Sequence, residues 1–100
     1  MNLPLITIGI ATYNSFETVE RSIYSALSQD WYPFEIVIVD DCSTDNTLNL
    51  VKKLEEKHKE IRVIKNTQNL GIGFVRNKII CEAKGEFLVF FDDDDISKNN

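Results

Sequence analysis

Four aspartates in a row, Asp92-Asp93-Asp94-Asp95, follow the apolar run Phe87-Leu88-Val89-Phe90-Phe91. Adjacent carboxylates repel: two like charges about 4 Å apart cost about 1 kcal/mol in water and about 4 kcal/mol at a surface-like dielectric. A divalent cation removes that repulsion, and carboxylate and phosphate oxygens are the usual ligands of Mg2+ or Mn2+. The plainer alternative is a solvated acidic loop or a helix cap. A second acidic pair, Asp40-Asp41, closes the run Val37-Ile38-Val39. One acid suffices to cap a following helix and offset its dipole, so the other is a candidate acceptor for a ligand N–H or hydroxyl.

Two further residues could complete such a site. Tyr13, in Ala11-Thr12-Tyr13-Asn14, could stack on a nucleobase while Thr12 or Asn14 bonds the ribose; an Asx-type turn with a packing Tyr uses the same residues. Arg76 follows Asn69-Leu70-Gly71-Ile72-Gly73-Phe74, where glycine allows close backbone approach, and its guanidinium suits a diphosphate. This is no P-loop, because the Lys-Ser/Thr pair is absent. A surface arginine on a helix is the alternative for Arg76. His58 sits in a solvated helix end, and Cys81 is expected in the core. Cys42 lies beside the acidic pair but has no histidine partner to activate it as a nucleophile.

The elements that must position these residues alternate. Leu5–Ala11, Glu35–Val39, Ile61–Ile64 and Glu86–Phe91 are short apolar runs that read as strands. Between them Glu17–Gln29 carries Val19, Ile23 and Leu27 on one helical face, and a second helix, capped by Ser43 or Thr44, runs to about Lys59 with Leu48, Leu50, Val51 and Leu54. Phe74–Ala83 is the third helix. The order β-α-β-α-β-α-β predicts an α/β fold: a mostly parallel sheet with right-handed crossovers and helices on both faces. Such sheets bind ligands outside the carboxyl ends of their strands. Tyr13, Asp40, Asp41 and the run from Asp92 all fall at that one edge.

Bulk properties narrow the classes. One hundred residues make one domain, 43% hydrophobic and 27% charged. A net charge of −5 argues against a nucleic-acid partner and against docking on anionic lipid. Two cysteines form no metal, redox or disulfide framework, which suits a reduced cytoplasmic protein. The apolar start lacks the basic flank of a signal peptide, and no run approaches the ~20 residues of a membrane span.

Taken together, the chain resembles the nucleotide-binding half of family 2 glycosyltransferases with the GT-A fold. The stretches that carry the resemblance are Ile10-Ala11-Thr12-Tyr13-Asn14, Ser25-Ala26-Leu27-Ser28-Gln29, Val39-Asp40-Asp41-Cys42-Ser43-Thr44-Asp45-Asn46-Thr47, Asn69-Leu70-Gly71, Arg76-Asn77 and Phe91-Asp92-Asp93-Asp94-Asp95. They span nearly the whole chain in the family's order and spacing. The resemblance implies a donor site for a nucleotide sugar, with UDP the expected nucleotide. Tyr13 and Asp41 would meet the base, with Ala11 and Asp40 shaping the same pocket. Arg76 would lie near the nucleotide. Asp92, Asp94 and Asp95 would form the DxD-type motif, with Asp94 and Asp95 on Mn2+ or Mg2+. It also implies inversion in one displacement onto a saccharide or lipid-linked acceptor, in the cytoplasm, free or peripheral at the inner face of the membrane. The family often has Pro at the position of Ala11 and Gly at that of Cys42. Its general base and acceptor site lie well past the DxD-type motif, so the base is expected beyond Asn100 and no residue within 1–100 is expected to be catalytic. Residues 1–100 are therefore expected to be one donor domain, the N-terminal fragment of a longer enzyme and inactive alone.

Two rival readings share this sheet edge. A phospho-acceptor receiver module also has an Asp pair and a later Asp, and Asp41 and Asp92 stand 51 positions apart. A receiver's pair follows its first strand, however, and here a complete strand, Leu5–Ala11, with Tyr13 in the turn after it, precedes it. A nucleotidyltransferase would differ by its product, a transferred nucleoside monophosphate.

Overall fold

The computed structural model describes residues 3–92. Its elements are β1 (Ile6–Thr12), α1 (Val19–Leu27), β2 (Phe34–Asp40), α2 (Thr47–Lys57), β3 (Ile61–Lys65), α3 (Ile72–Glu82) and β4 (Phe87–Asp92). The expected order is present in full. The strands form one sheet in the order β3-β2-β1-β4, and every neighbouring pair is parallel. Parallel strands buried on both faces need continuous apolar sequence. Ile36, Val37, Ile38 and Val39 in β2 provide it, and all four have no exposed surface.

Alternation along the strands divides the core in two. On one face Ile8, Ile10, Ile36 and Ile38 pack with Val19, Ile23 and Ala26 of α1 and Val51 and Leu54 of α2. On the other, Val37 and Val39 meet Val75 and Ile79 of α3. Helices therefore cover both faces. The two buried α3 residues are four apart, one line along the helix, and Cys81 lies off that line. Cys81 is exposed, not in the core as its apolar surroundings in the sequence suggest. The cap expected from Ser43 or Thr44 also differs. The second helix starts at Thr47, whose amide and hydroxyl both donate to Asp45 Oδ1, while Ser43 is engaged by Asp40.

The two edges of the sheet are built differently. On the β3 side the Val63 amide donates to Glu55 Oε2 at 2.9 Å, and Arg62 is fastened to Glu82 at 2.8 Å. On the β4 side Phe87, Val89 and Phe90 are exposed. Among the described residues no helix is long and apolar enough to cross a membrane.

Gly9 lets α3 lie close to the sheet. A Cβ there would stand 2.5 Å from Ile79 Cγ2 and 3.3 Å from the Phe90 ring. Gly9→Ala is expected to lower stability by about 1–3 kcal/mol, the usual range for overpacking. Ile79→Ala empties the space the new methyl needs, so the double variant should lose less than the sum of the two single changes. Urea unfolding of the four proteins checks this; strict additivity would mean that Gly9 and Ile79 do not share that contact.

Candidate functional site

The carboxyl ends of the strands meet at a cavity of about 270 Å3. Ala11, Thr12 and Tyr13 line it from the end of β1, and Asp41 from the end of β2. Gly71, Val75 and Arg76 line it from the start of α3, and Phe90 and Phe91 from β4. Tyr13 is 44% exposed. The Arg76 guanidinium lies over the Phe90 ring, 5.2 Å from its centroid, an attractive placement for a cation. A second depression of about 480 Å3 lies at the opposite ends of the strands, lined by Glu35, Arg62 and Lys84 among others. There Glu35 is already engaged by the protein: Arg62 pairs with it at 3.6 Å, and the Lys84 backbone amide donates to its Oε2. The cavity at the carboxyl ends is the candidate site.

The two adjacent aspartates do different work. Asp40 is fully buried and does not line the cavity. Its Oδ2 accepts the Ser43 amide at 2.9 Å and its Oδ1 the Ser43 hydroxyl at 2.6 Å. Ser43 Oγ in turn accepts the Asn14 amide at 2.9 Å. Asn14 Oδ1 accepts the amides of Thr44 and Asp45, and the Ser15 amide donates to Thr47 Oγ1. Asp40 thus fixes the turn that presents Tyr13. Both Asn14 (φ 49°) and Cys42 (φ 66°) take the left-handed conformation these turns require. Glycine fits it without strain, and Asn tolerates it better than most residues. Cys42 stands where the resembled family often has glycine, and the geometry shows what glycine is for at that position.

Asp41 turns the other way. Only 5% of its surface is exposed. Its Oδ1 accepts Asn66 Nδ2 and the Leu70 amide, each at 2.9 Å, and its Oδ2 accepts the Gly71 amide at 2.9 Å. Burial pulls its pKa up, but the hydrogen bonds from Leu70, Asn66 and Gly71 outweigh burial and hold it below the ordinary carboxylate value. Gly71 has φ 93° and is the N-cap of α3, so the carboxylate also faces the positive end of that helix. Sequence reasoning missed Asn66; only its polar type, just past a strand, hinted at it.

The register of β4 sets Asp92 beside Ala11, which lines the cavity. Asp94 and Asp95, expected as metal ligands, lie outside the described residues. So does Asn100, beyond which the general base is expected. Among the described residues no three acidic, cysteine or histidine side chains are grouped to hold a metal. The Thr12 hydroxyl is buried without a protein partner among the described residues.

Comparison with known proteins bears on this arrangement. The family described as Glycosyl transferase family 2 matches residues 7–100. The UDP-Glc:alpha-D-GlcNAc-diphosphoundecaprenol beta-1,3-glucosyltransferase WfaP of Escherichia coli is 40% identical over 93% of this chain and 36% of its own length. Among solved structures, S. aureus TarS 1-349 in complex with UDP-GlcNAc superposes with a TM-score of 0.80 at 39% identity, covering 89% of this chain and 26% of that one. The mannosyltransferase PcManGT from Pyrobaculum calidifontis, in complex with GDP-Man and Mn2+, gives a TM-score of 0.83 at 31% identity, covering 91% of this chain and 28% of that one. The chain spans between 25% and 40% of the length of the curated relatives it matches.

The depressed pKa of Asp41 has a direction in stability. A carboxyl that is more acidic folded than unfolded stabilises the fold above its unfolded pKa, about 3.9. That contribution is lost as pH falls from there through the folded value. Asp41→Asn removes the charge and sets an amide against backbone donors, so at neutral pH it is expected to lose about 3 kcal/mol. The wild-type chain should then lose stability below about pH 4 more steeply than Asp41→Asn. Chemical denaturation between neutral and acid pH tests both; parallel pH profiles would show that Asp41 is not the group concerned.

Proposed function

Because this chain belongs to glycosyl transferase family 2, we propose that it is the donor-binding part of an enzyme that moves a sugar from a nucleoside diphosphate, UDP foremost, to an acceptor hydroxyl. The observation that carries this reading is the Asp41 carboxylate in the cavity wall, kept ionised by donors from the protein. An ionised carboxylate only accepts hydrogen bonds. The ligand group that meets it must therefore donate, as N3–H of uracil does. Tyr13 offers an aromatic face for the base, and Arg76 a cation for the diphosphate. Asp40 acts through the turn that presents Tyr13, and Ala11 keeps the end of β1 free of bulk. The UDP-GlcNAc in TarS and the UDP-Glc in the name of WfaP support a UDP-sugar. The GDP-Man in PcManGT leaves the size of the pocket near Tyr13 to exclude guanine.

The donor set after β4 fits a divalent cation. Carboxylate oxygens are hard ligands suited to Mn2+ or Mg2+, and Asp92 continues the strand that lines the cavity through Phe90 and Phe91. Asp94 and Asp95 would hold the ion, with Asp92 and Asp94 toward the donor. The ion would supply neutralisation of charge growing on the leaving diphosphate; the Mn2+ in PcManGT supports this. The reaction is read as a single inverting displacement on a saccharide or lipid-linked acceptor, within polysaccharide biosynthesis. No residue of this chain is assigned as the base, which this reading places after Asn100. The enzyme is placed in the cytoplasm, free or peripheral at the membrane. Against the receiver and nucleotidyltransferase readings stands the family match over residues 7–100.

Thermal melts with Mn2+ plus UDP test the site. At one hundred times its Kd the nucleotide should stabilise the chain by about 2.7 kcal/mol, and Asp94→Asn with Asp95→Asn should remove the metal-dependent share. Base choice is a separate expectation. Cytosine sets a bare acceptor against Asp41, so UDP should bind tenfold to a hundredfold or more tighter than CDP, by the roughly 1.5–3 kcal/mol of a hydrogen bond to a charged group. Calorimetric titration of UDP, dTDP, GDP and CDP decides this. Equal binding of UDP and CDP would reassign Asp41.

A further inference from the structure

Asp41 has two oxygens, and the protein does not fill them equally. An ionised carboxylate offers about four lone-pair directions, two on each oxygen. Oδ1 accepts from both Asn66 Nδ2 and the Leu70 amide. Oδ2 accepts from the Gly71 amide. Among the described residues one acceptor direction is left, on Oδ2, and Asp41 is part of the cavity wall.

Two of the three donors are backbone amides, which any sequence supplies. The third is a side chain with a fixed root. The Asn66 amide N–H donates to the Asp40 carbonyl at 2.9 Å, extending the β2–β3 ladder one step past the pairing of Asp40 with Lys65. Asn66 is half-buried and does not line the cavity, so it reaches Asp41 from outside the site. Its amide must present nitrogen to the carboxylate, because the opposite orientation would set oxygen against oxygen.

We propose that Asn66 is a positioning residue for nucleotide recognition: it saturates Oδ1 of Asp41, so that the carboxylate presents one acceptor direction, on Oδ2, to a single N–H or O–H donor of the ligand. Discrimination follows from this. A carboxylate with one open direction rejects a ligand that brings an acceptor there, since it cannot swing to satisfy itself elsewhere. Without Asn66, Oδ1 keeps only the Leu70 amide and regains an open direction, where a differently placed donor of a wrong base can be met, so that base is tolerated better. The inference rests on the reading of the cavity as a nucleotide site. Among the described residues, the other titratable or charged groups near Asp41 include Tyr13 and Arg76 in the same cavity wall, Cys42 next in the chain, Asp40, which is bound to Ser43, and Lys65 at the end of β3.

The test uses the full chain with Asn66→Ala and the isosteric Asn66→Asp, each with UDP and CDP in Mn2+ by calorimetry, and with the Asp41 carboxyl carbon followed by NMR titration without nucleotide. In Asn66→Ala the UDP-over-CDP ratio should fall about tenfold, the size of one lost hydrogen bond to a charged group. A residue that merely held the loop would weaken UDP and CDP alike, and an unchanged ratio overturns the proposal. Asn66→Asp sets a second carboxyl against the first. UDP affinity should fall further, then recover as pH is lowered from about 7.5 to about 5, where the introduced carboxyl takes up a proton and can donate again; no recovery counts against the role. The Asp41 titration midpoint should rise in Asn66→Ala, and an unmoved midpoint overturns the contact itself. If the wild-type chain binds no nucleotide, the functional reading fails, and the NMR titration alone decides on Asn66.

Discussion

A carboxylate removed from water stays charged only where other donors replace the lost solvent. Asp41 meets that condition with three N–H groups, all from residues 66–71. Much of the site's shape follows. The segment after β3 must fold back over the end of β2 to deliver those donors. Gly71 must adopt φ 93°, which side-chain-bearing residues rarely do. The helix that begins at Ile72 starts where this loop leaves it, and Val75 and Arg76 reach the cavity one turn later. A buried charge thereby sets the origin and direction of α3.

The neighbouring carboxylate organises the opposite wall. Asp40 holds Ser43, Ser43 holds Asn14, and the turn carrying Tyr13 is tied to the loop before α2. One strand end therefore anchors two loops, one on each side of the cavity. The strain of this arrangement is concentrated in Cys42, whose φ of 66° lets the chain leave the Asp pair sharply enough to serve both. Such conformations persist where the surroundings over-determine them, and here the bonds of Asp40 to Ser43 and of Asp41 to Asn66, Leu70 and Gly71 do so.

Much of this could be read from the residues in order. Alternating apolar runs and helical faces gave the strand–helix succession, and the parallel sheet then required Tyr13, Asp40, Asp41 and Asp92 to share one edge. Element ends shifted by a few residues, as frayed boundaries do. What stayed hidden was long-range. Asp40 and Asp41 are the same residue type side by side; alternation sends Asp40 to the face of Ile36 and Ile38 and Asp41 to that of Val37 and Val39, but which of these faces holds the cavity emerges only once α3 is in place. Asn66 is an ordinary polar loop residue until β2 and β3 are aligned. Cys81 looked like core because α3 carries apolar residues all round: Ile72, Phe74 and Ile80 are exposed while Val75 and Ile79 are buried. No periodicity separates those faces.

The pairing of β1 with β4 joins the first and last strands among the described residues, with Ile6 against Phe87. It closes a loop of about 80 residues, a non-local contact whose closure entropy must be met before the pairing rewards it. The cavity straddles that seam: Tyr13 comes from one side of it, Phe90 and Phe91 from the other. Without β4 the cavity would lack the wall that Phe90 and Phe91 supply. On the proposed function, a nucleotide held there would bridge β1 and β4, two strands about 80 residues apart in the chain.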